Sequence, residues 1–283
     1  MTSSIGERMS RSRLTRPCPL CGERSPRGDR DTPAPVRCGA CGLLYIDPVP
    51  VEAVDPSTYG PGYYSPWQER EEVPRTRLWR RRLARLGDHQ ARGALLDVGC
   101  GDGLFLEVAR VSGWRIEGNE FSPEGARRSA RRLGRPVAVG DLARSSHLPG
   151  PFDIVTLWHV LEHLPEPRPM LEAVWRRLAP GGLIAIAVPN LDNLPMQVAY
   201  RAARGRPLPL YETGEREPHL SHFSETTLRL ILARQGFQAI EVEPDRCALT
   251  APKRSVDAAA AFLSLVFGRI LTDAITAFAR RPS

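Results

Sequence analysis

The feature that most limits how this chain can fold is an alternation that begins at Ala94. Short apolar runs at Ala94–Val98, Ile116–Asn119, Val137–Val139, Ile154–Leu157 and Leu183–Val188 read as strands buried on both faces. Helical patterns lie between several of them, at Leu104–Val111, Pro123–Leu133 and Met170–Leu178. Strands that alternate with helices imply βαβ units, and therefore an α/β chain with a doubly wound, mostly parallel sheet. The pattern then changes. Ser224 caps a helix running to Gln235, Gly236 ends it, and Phe237–Val242 and Arg246–Thr250 flank a Pro244-Asp245 turn, which predicts a helix followed by a β-hairpin. Ser255 opens a last apolar helix expected to run to about Arg280.

The first turn of the alternation is rich in glycine: Asp97-Val98-Gly99-Cys100-Gly101-Asp102-Gly103 passes from a strand into a helix. Glycine lets backbone approach a ligand closely and adopt positive φ. The spacing is neither GxGxxG nor a P-loop, and a carboxylate at the strand end suits an ammonium-bearing ligand better than a pyrophosphate. The second strand ends at Glu120, in Gly-Asn-Glu-Phe, where a carboxylate can accept both hydroxyls of a ribose. The third ends in Val139-Gly140-Asp141-Leu142, where an acid can accept an adenine amino proton beside the Leu142 N–H. Each acid alone could equally cap a helix. Three of them at successive strand ends, about 20 residues apart, describe one extended ligand.

This constellation resembles the class I S-adenosylmethionine-dependent methyltransferases over roughly residues 90–250. The resemblance implies a seven-stranded sheet whose last strand is antiparallel, with Asp97, Gly99 and Gly101 at the methionine end of the cofactor. It places Glu120 on the ribose and Asp141 on the adenine, and extends the cofactor-binding set to Cys100, Gly103, Phe121, Gly140, Leu142 and Trp158.

The segment after the fourth strand, Trp158-His-Val-Leu-Glu-His-Leu-Pro165, is expected to face the crevice outside the strand ends. His159, Glu162 and His163 share one face of a helical turn, a spacing that fits a facial divalent-metal site or a general base with an acid to orient it. His159 is the better candidate for the base, with His163 second. The stretch resembles that of the ubiquinone-biosynthesis O-methyltransferases, which commonly carry Glu where this chain has His159, a departure that weakens any inherited metal site. A long insertion to Tyr211 and the run Pro218-His-Leu-Ser-His-Phe-Ser224 are implied to cover the substrate, making His219 and His222 further catalytic candidates.

Four of six cysteines form two CxxC pairs, Cys18/Cys21 and Cys38/Cys41, with sixteen residues between them. Two such knuckles make a closed tetrahedral zinc site with no open position, so a structural Zn²⁺ is expected. The expected organisation is an N-terminal arm with the zinc module (1–60), a linker and basic helix (61–92), the cofactor-binding domain (93–252) and a C-terminal amphipathic helix (253–283). The formal charge is +7, but residues 1–37 carry +4 and residues 75–92 carry +6, so the remainder is −3. The uneven charge leaves three readings. The first is a methyltransferase of small molecules or glycans, acting on O or C. The second is an RNA methyltransferase that uses the basic segments. The third is a non-catalytic docking protein. The C-terminal helix has Phe262, Val266, Ile270 and Phe278 on a broad apolar face, expected to pack on its own domain, with self-association or a membrane surface as alternatives. No uncharged apolar run approaches the roughly 20 residues of a transmembrane helix, and no secretory signal is apparent, which favours a cytoplasmic protein.

Overall fold

The computed structural model describes residues 16–283 apart from 25–31, 51–54, 70, 146–147, 149, 213 and 215–216. The N-terminal arm to residue 15 and part of the first basic segment therefore lie outside the described residues. The strands are β1 (Ala34–Arg37), β2 (Leu44–Asp47), β3 (Ala94–Val98), β4 (Arg115–Glu120), β5 (Ala138–Val139), β6 (Phe152–Trp158), β7 (Leu178–Pro189), β8 (Ser221–His222), β9 (Gln238–Asp245) and β10 (Ala274–Arg280). The helices are α1 (Pro61–Glu69), α2 (Glu72–His89), α3 (Leu104–Val111), α4 (Pro123–Leu133), α5 (Pro167–Arg177), α6 (Leu194–Arg204), α7 (Glu225–Arg234) and α8 (Ala251–Phe267).

The main sheet has seven strands in the order β5-β4-β3-β6-β7-β10-β9. Pairs among β5, β4, β3, β6 and β7 are parallel, while β10 runs antiparallel to both neighbours. Each strand sends alternate residues to opposite faces. Leu96, Val98, Val155, Leu157, Ile184 and Ile186 join α5 and α7 in one apolar cluster, whereas Leu95, Ile154, Leu183 and Ala185 join α2 and α3 in another. The doubly wound α/β sheet expected from the sequence is thus present.

Two expectations for the end of the chain are corrected. The hairpin partner of β9 is β10, some thirty residues later, and Arg246–Thr250 forms no strand. The last helix stops at Phe267, because Gly268 turns left-handed (φ +62°) and donates its N–H to Ser264. Ala274–Ala279 then enters the sheet completely buried. A strand buried on both faces is a continuous apolar run, which periodicity does not separate from a buried helix.

A second sheet, β1-β2-β8, joins the cysteine module to the main domain, with Leu44 opposite His222 and Tyr45 opposite Ser221. Cys18, Leu20, Cys38 and Tyr45 belong to the same buried cluster as Phe223, Leu161 and the α5–α7 side of the main sheet.

Gly103 has φ +79°, and a Cβ built there would fall 2.5 Å from Ser129 Oγ and 3.0 Å from its Cα. Backbone strain and overpacking therefore act together, and Gly103→Ala is expected to destabilise the fold by about 2–4 kcal/mol in urea unfolding. A loss below about 1 kcal/mol would show that α4 can shift to make room.

Candidate active site

The chain leaves β3 toward β4 but leaves β6 toward β7, so the two connections diverge and open a crevice at the carboxyl ends of β3 and β6. A cavity of about 1020 Å³ lies there. Of the cofactor-binding residues expected from the sequence, Asp97, Gly99, Cys100, Gly101, Glu120, Phe121, Gly140, Asp141, Leu142 and Trp158 all line it. Gly103 does not; its role is the close α3–α4 approach.

Gly99 and Gly101 have φ +70° and +57°, which keeps the loop bare of side chains where it borders the cavity. Asp97 is buried and accepts one hydrogen bond, from Thr156 Oγ1 at 2.6 Å. Burial pushes its carboxyl up to about 8, against the Thr156 hydroxyl, and the nearby Glu120 adds to the rise. Glu120 is also buried, and burial raises its carboxyl. Its two oxygens accept the N–H groups of Gly101 (2.7 Å) and Ser122 (2.8 Å). The Phe121 N–H bonds the same carboxylate, and a carboxylate has about four lone-pair sites, so room for a further donor remains. Ser122, rather than Glu120, caps α4. Asp141 does double service: its Oδ1 caps the following turn through Ala143 N (2.9 Å) while the residue borders the cavity.

His159 and His163 also line the cavity. His159 has φ +57°, a left-handed conformation that is costly for a residue with a Cβ. Arg82 Nη2 lies 2.8 Å from His159 Nε2. Arginine only donates, so Nε2 accepts, the proton sits on Nδ1, and Nδ1 donates to Glu162 Oε1 at 3.3 Å. Glu162 is fully buried, and burial opposes its ionisation. The His159 hydrogen bond and the neighbouring His163 outweigh that and hold its carboxyl at about 2. His163 Nδ1 donates to Pro218 O (3.1 Å), and its Nε2 lies 3.5 Å from Glu217.

The metal-type convergence differs from the one the spacing suggests. Ligand atoms of Glu162, His163 and His219 fall within 4.8 Å of one another, whereas His159 Nε2 is committed to Arg82. His219 lines the cavity and is held neutral, at about 4, by burial and the adjacent His163. His222 does not reach the cavity. It lies on β8 behind His219, and burial lowers it to about 4.

Several cavity residues were not marked in the sequence. Arg82 is buried, paired to Asp245 through Nε (2.9 Å) and Nη2 (2.6 Å), and stacked between Trp158 and Trp79 at 4.8 and 5.2 Å. Arg75 holds the fully buried Asp102 with two bonds of 2.7 and 2.9 Å. Tyr59, Tyr63 and Tyr64 stack edge to face along one wall, and Tyr63 Oη donates to Glu217 at 2.6 Å. The signals were present as an Arg-rich apolar helix and a Tyr-rich loop, but their partners lie far away in sequence.

Known proteins share this architecture. Residues 68–242, well over half of the chain, match the family model described as a methyltransferase domain. A ubiquinone biosynthesis O-methyltransferase of Psychrobacter arcticus is 31% identical over 105 residues, covering 34% of this chain and 40% of its own length. One from Idiomarina loihiensis is 35% identical over 104 residues, covering 34% and 42%. The chain thus spans about two fifths of the length of these relatives. Among solved structures, an S-adenosylmethionine-dependent methyltransferase of Thermotoga maritima superposes with a TM-score of 0.55 at 16% identity, covering 80% of this chain and 98% of that one. The magnesium protoporphyrin IX methyltransferase of Synechocystis PCC 6803, with bound S-adenosylhomocysteine, gives 0.52 at 17%, covering 79% and 91%. At these identities the likeness is one of fold.

Proposed function

Because the chain belongs to the methyltransferase-domain family, we propose that it transfers a methyl group from S-adenosylmethionine to a hydroxyl of a small-molecule or glycan acceptor. The observation that carries this reading is the single cavity in which Asp97, Glu120 and Asp141 meet the His159–Glu162 pair. The pocket suits the cofactor. Among the described residues no cation bonds the buried Asp97 carboxyl, and an ammonium group would fill that need. Glu120 keeps lone pairs for a ribose, and the bare Gly99–Gly101 loop admits a chain beside it. When bound, the cofactor supplies an electrophilic methyl on a sulfonium, so the hard chemistry is its own.

The protein's part is to hold the acceptor in line, exclude water and take a proton. Neutral His159, oriented through Nδ1 by ionised Glu162, is our candidate base at Nε2. Glu162 stabilises the imidazolium that forms. Arg82 occupies Nε2 in this structure and is itself neutralised by Asp245, so an entering hydroxyl takes the place of the Arg82 donor. The Tyr59–Tyr64 wall and Glu217 cover the opposite side.

We further read the four cysteines as a structural zinc site. Cys18 and Cys41 sulfurs lie 3.6 Å apart and Cys21 and Cys38 sulfurs 3.5 Å. A tetrahedral ion with bonds of about 2.3 Å needs sulfurs about 3.8 Å apart. The Cys18 sulfur also accepts N–H bonds from Leu20 and Cys21, and the Cys38 sulfur from Ala40 and Cys41. Such bonds stabilise thiolates around a cation.

The RNA alternative is weakened by the basic helix itself: Arg75 and Arg82 are consumed in buried ion pairs, and Arg85 pairs with Glu243 and Asp88. The test is to incubate the protein with labelled S-adenosylmethionine and fractionated extract of its source. Label is expected in a small-molecule or glycoside fraction. His159→Ala is expected to lower that incorporation about 10²–10⁴-fold while leaving cofactor binding intact. Label in nucleic acid would overturn the acceptor class, and an undiminished rate in His159→Ala would remove the base.

A further inference from the structure

The helix α8 is built inside out. Its buried residues are Asp257, Ala260 and Ser264, small or polar, and each is committed to local hydrogen bonding or close packing. Ser264 Oγ accepts from Leu271 N and donates to Ala260 O, and Asp257 Oδ1 accepts from Asp273 N. The large apolar side chains point outward instead: Phe262 is 66% exposed, Leu265 84%, Val266 59% and Phe267 64%. Positions 262, 265 and 266 have the i, i+3, i+4 spacing of one helix face. A helix that packs on its own domain turns such a stripe inward, as the sequence led us to expect; this one does the reverse.

The neighbouring helix extends the patch. α6 packs against α8 and exposes Leu194 and Val198, each 58% exposed. The start of α6 lies beside the end of α8, because Asn190 donates to Ile270 O and Thr272 O and Asn193 donates to Asp273. The apolar ends of both helices therefore meet. The exposed charges on the two helices are cationic, Arg201 and Arg204 on α6 and Lys253 and Arg254 on α8; just outside them stand one further cation, Arg269 after α8, and one exposed acid, Asp192 before α6, so the face keeps a clear positive excess. α6 contains no acid, and the single acid of α8, Asp257, is buried. The segments flanking the helices, at Pro189, Leu249 and Asp273, line the cavity, so the helix pair is joined directly to its wall.

We propose that the paired α6–α8 face is a docking surface for an anionic lipid bilayer. Exposed Phe, Leu and Val enter the headgroup–acyl boundary, and the five cations meet the negative lipid surface. Charge decides the occupant. A second copy of this face would bring ten like charges together, which disfavours a symmetric dimer, whereas an anionic membrane neutralises them.

The test uses the full chain in co-sedimentation with phosphatidylglycerol–phosphatidylcholine vesicles and with phosphatidylcholine vesicles alone. Binding is expected to the anionic vesicles and to fall as salt is raised. The double variant Leu265→Asp/Phe267→Asp is expected to lower the partition coefficient at least tenfold, and Lys253→Glu/Arg254→Glu to lower it severalfold, with melting temperatures unchanged because these side chains are exposed. Sedimentation reads lipid binding alone, so its outcome is independent of methyl transfer. Absence of anionic-vesicle binding by the wild type would overturn the proposal. So would a concentration-dependent dimer in light scattering that Leu265→Asp/Phe267→Asp dissolves while vesicle binding persists.

Discussion

Asp97→Asn is expected to weaken S-adenosylmethionine binding by about 10- to 100-fold in calorimetry, since a hydrogen bond to a charged group contributes roughly 1.5–3 kcal/mol. The direction of the pH effect follows from the carboxyl itself. Burial raises it from 3.8 to about 8, so in the ligand-free protein it is protonated at neutral pH. Binding an ammonium group requires the ionised form, and wild-type affinity should therefore rise with pH up to about 8, by roughly tenfold per unit where one proton is released. Asp97→Asn should lose that slope together with the affinity. Stability should move the other way. A folded-state value above the unfolded one means the native protein holds an extra proton between pH 4 and 8. The carboxyl therefore costs the ligand-free fold stability as pH rises through that window. At pH 8 to 9 the Asn variant is expected to melt at or above the wild type. Equal cofactor affinity in the variant, or a melt well below the wild type at pH 9, would show that Asp97 serves the fold and not the ligand.

The same residue illustrates what the sequence made visible. Asp97, Glu120 and Asp141 each close a strand, and a strand end is a local event, readable from an apolar run and the turn after it. Their shared cavity followed from the alternation of strands and helices, because a doubly wound sheet places successive carboxyl ends on one edge. Contacts between distant segments carried no such signal. Arg82 meets Asp245 across 163 positions, and Tyr63 meets Glu217 across 154. The end of the chain misled for a different reason. Ala274–Ala279 is apolar on both faces apart from Thr276, because both faces are buried, so neither the 2-residue nor the 3.6-residue period is expressed. In α8 the amphipathic pattern was legible, but its polarity was not: which face turns inward was set by Ser264 and Asp257 bonding to the strand-side chain. The Glu162–His163–His219 convergence was likewise hidden, since it depends on a β2–β8 pairing of only two residues on each strand.

That short pairing makes the cysteine module the second place where a large effect is expected. β2 follows Cys41 by two residues and pairs with Ser221–His222, while the adjoining Leu220 N donates to Glu162 O at 2.7 Å. Arg16, beside Cys18, donates to Ile46 O and Pro165 O, both at 2.8 Å, and so ties the module to the loop after Glu162. The purified protein is expected to carry one zinc per chain. Cys18 and Cys38 belong to the main buried cluster, so on the zinc reading removal of the ion, by chelation under mild denaturant or by Cys38→Ser, is expected to loosen that cluster. A loss of about 3–5 kcal/mol would lower the melting temperature by roughly 10 °C for a domain of this size. Two ligand sets should then separate. Asp97 and Glu120 stand on β3 and β4 of the main sheet, with which β8 does not pair, so S-adenosylhomocysteine affinity should change less than threefold. His219 and Glu217 flank β8, so acceptor turnover should fall at least tenfold, with protease cleavage newly appearing near residues 211–220. A metal-free preparation that melts and turns over like the wild type would show that the four sulfurs converge without an ion to hold, and the link from module to cavity would fail with it.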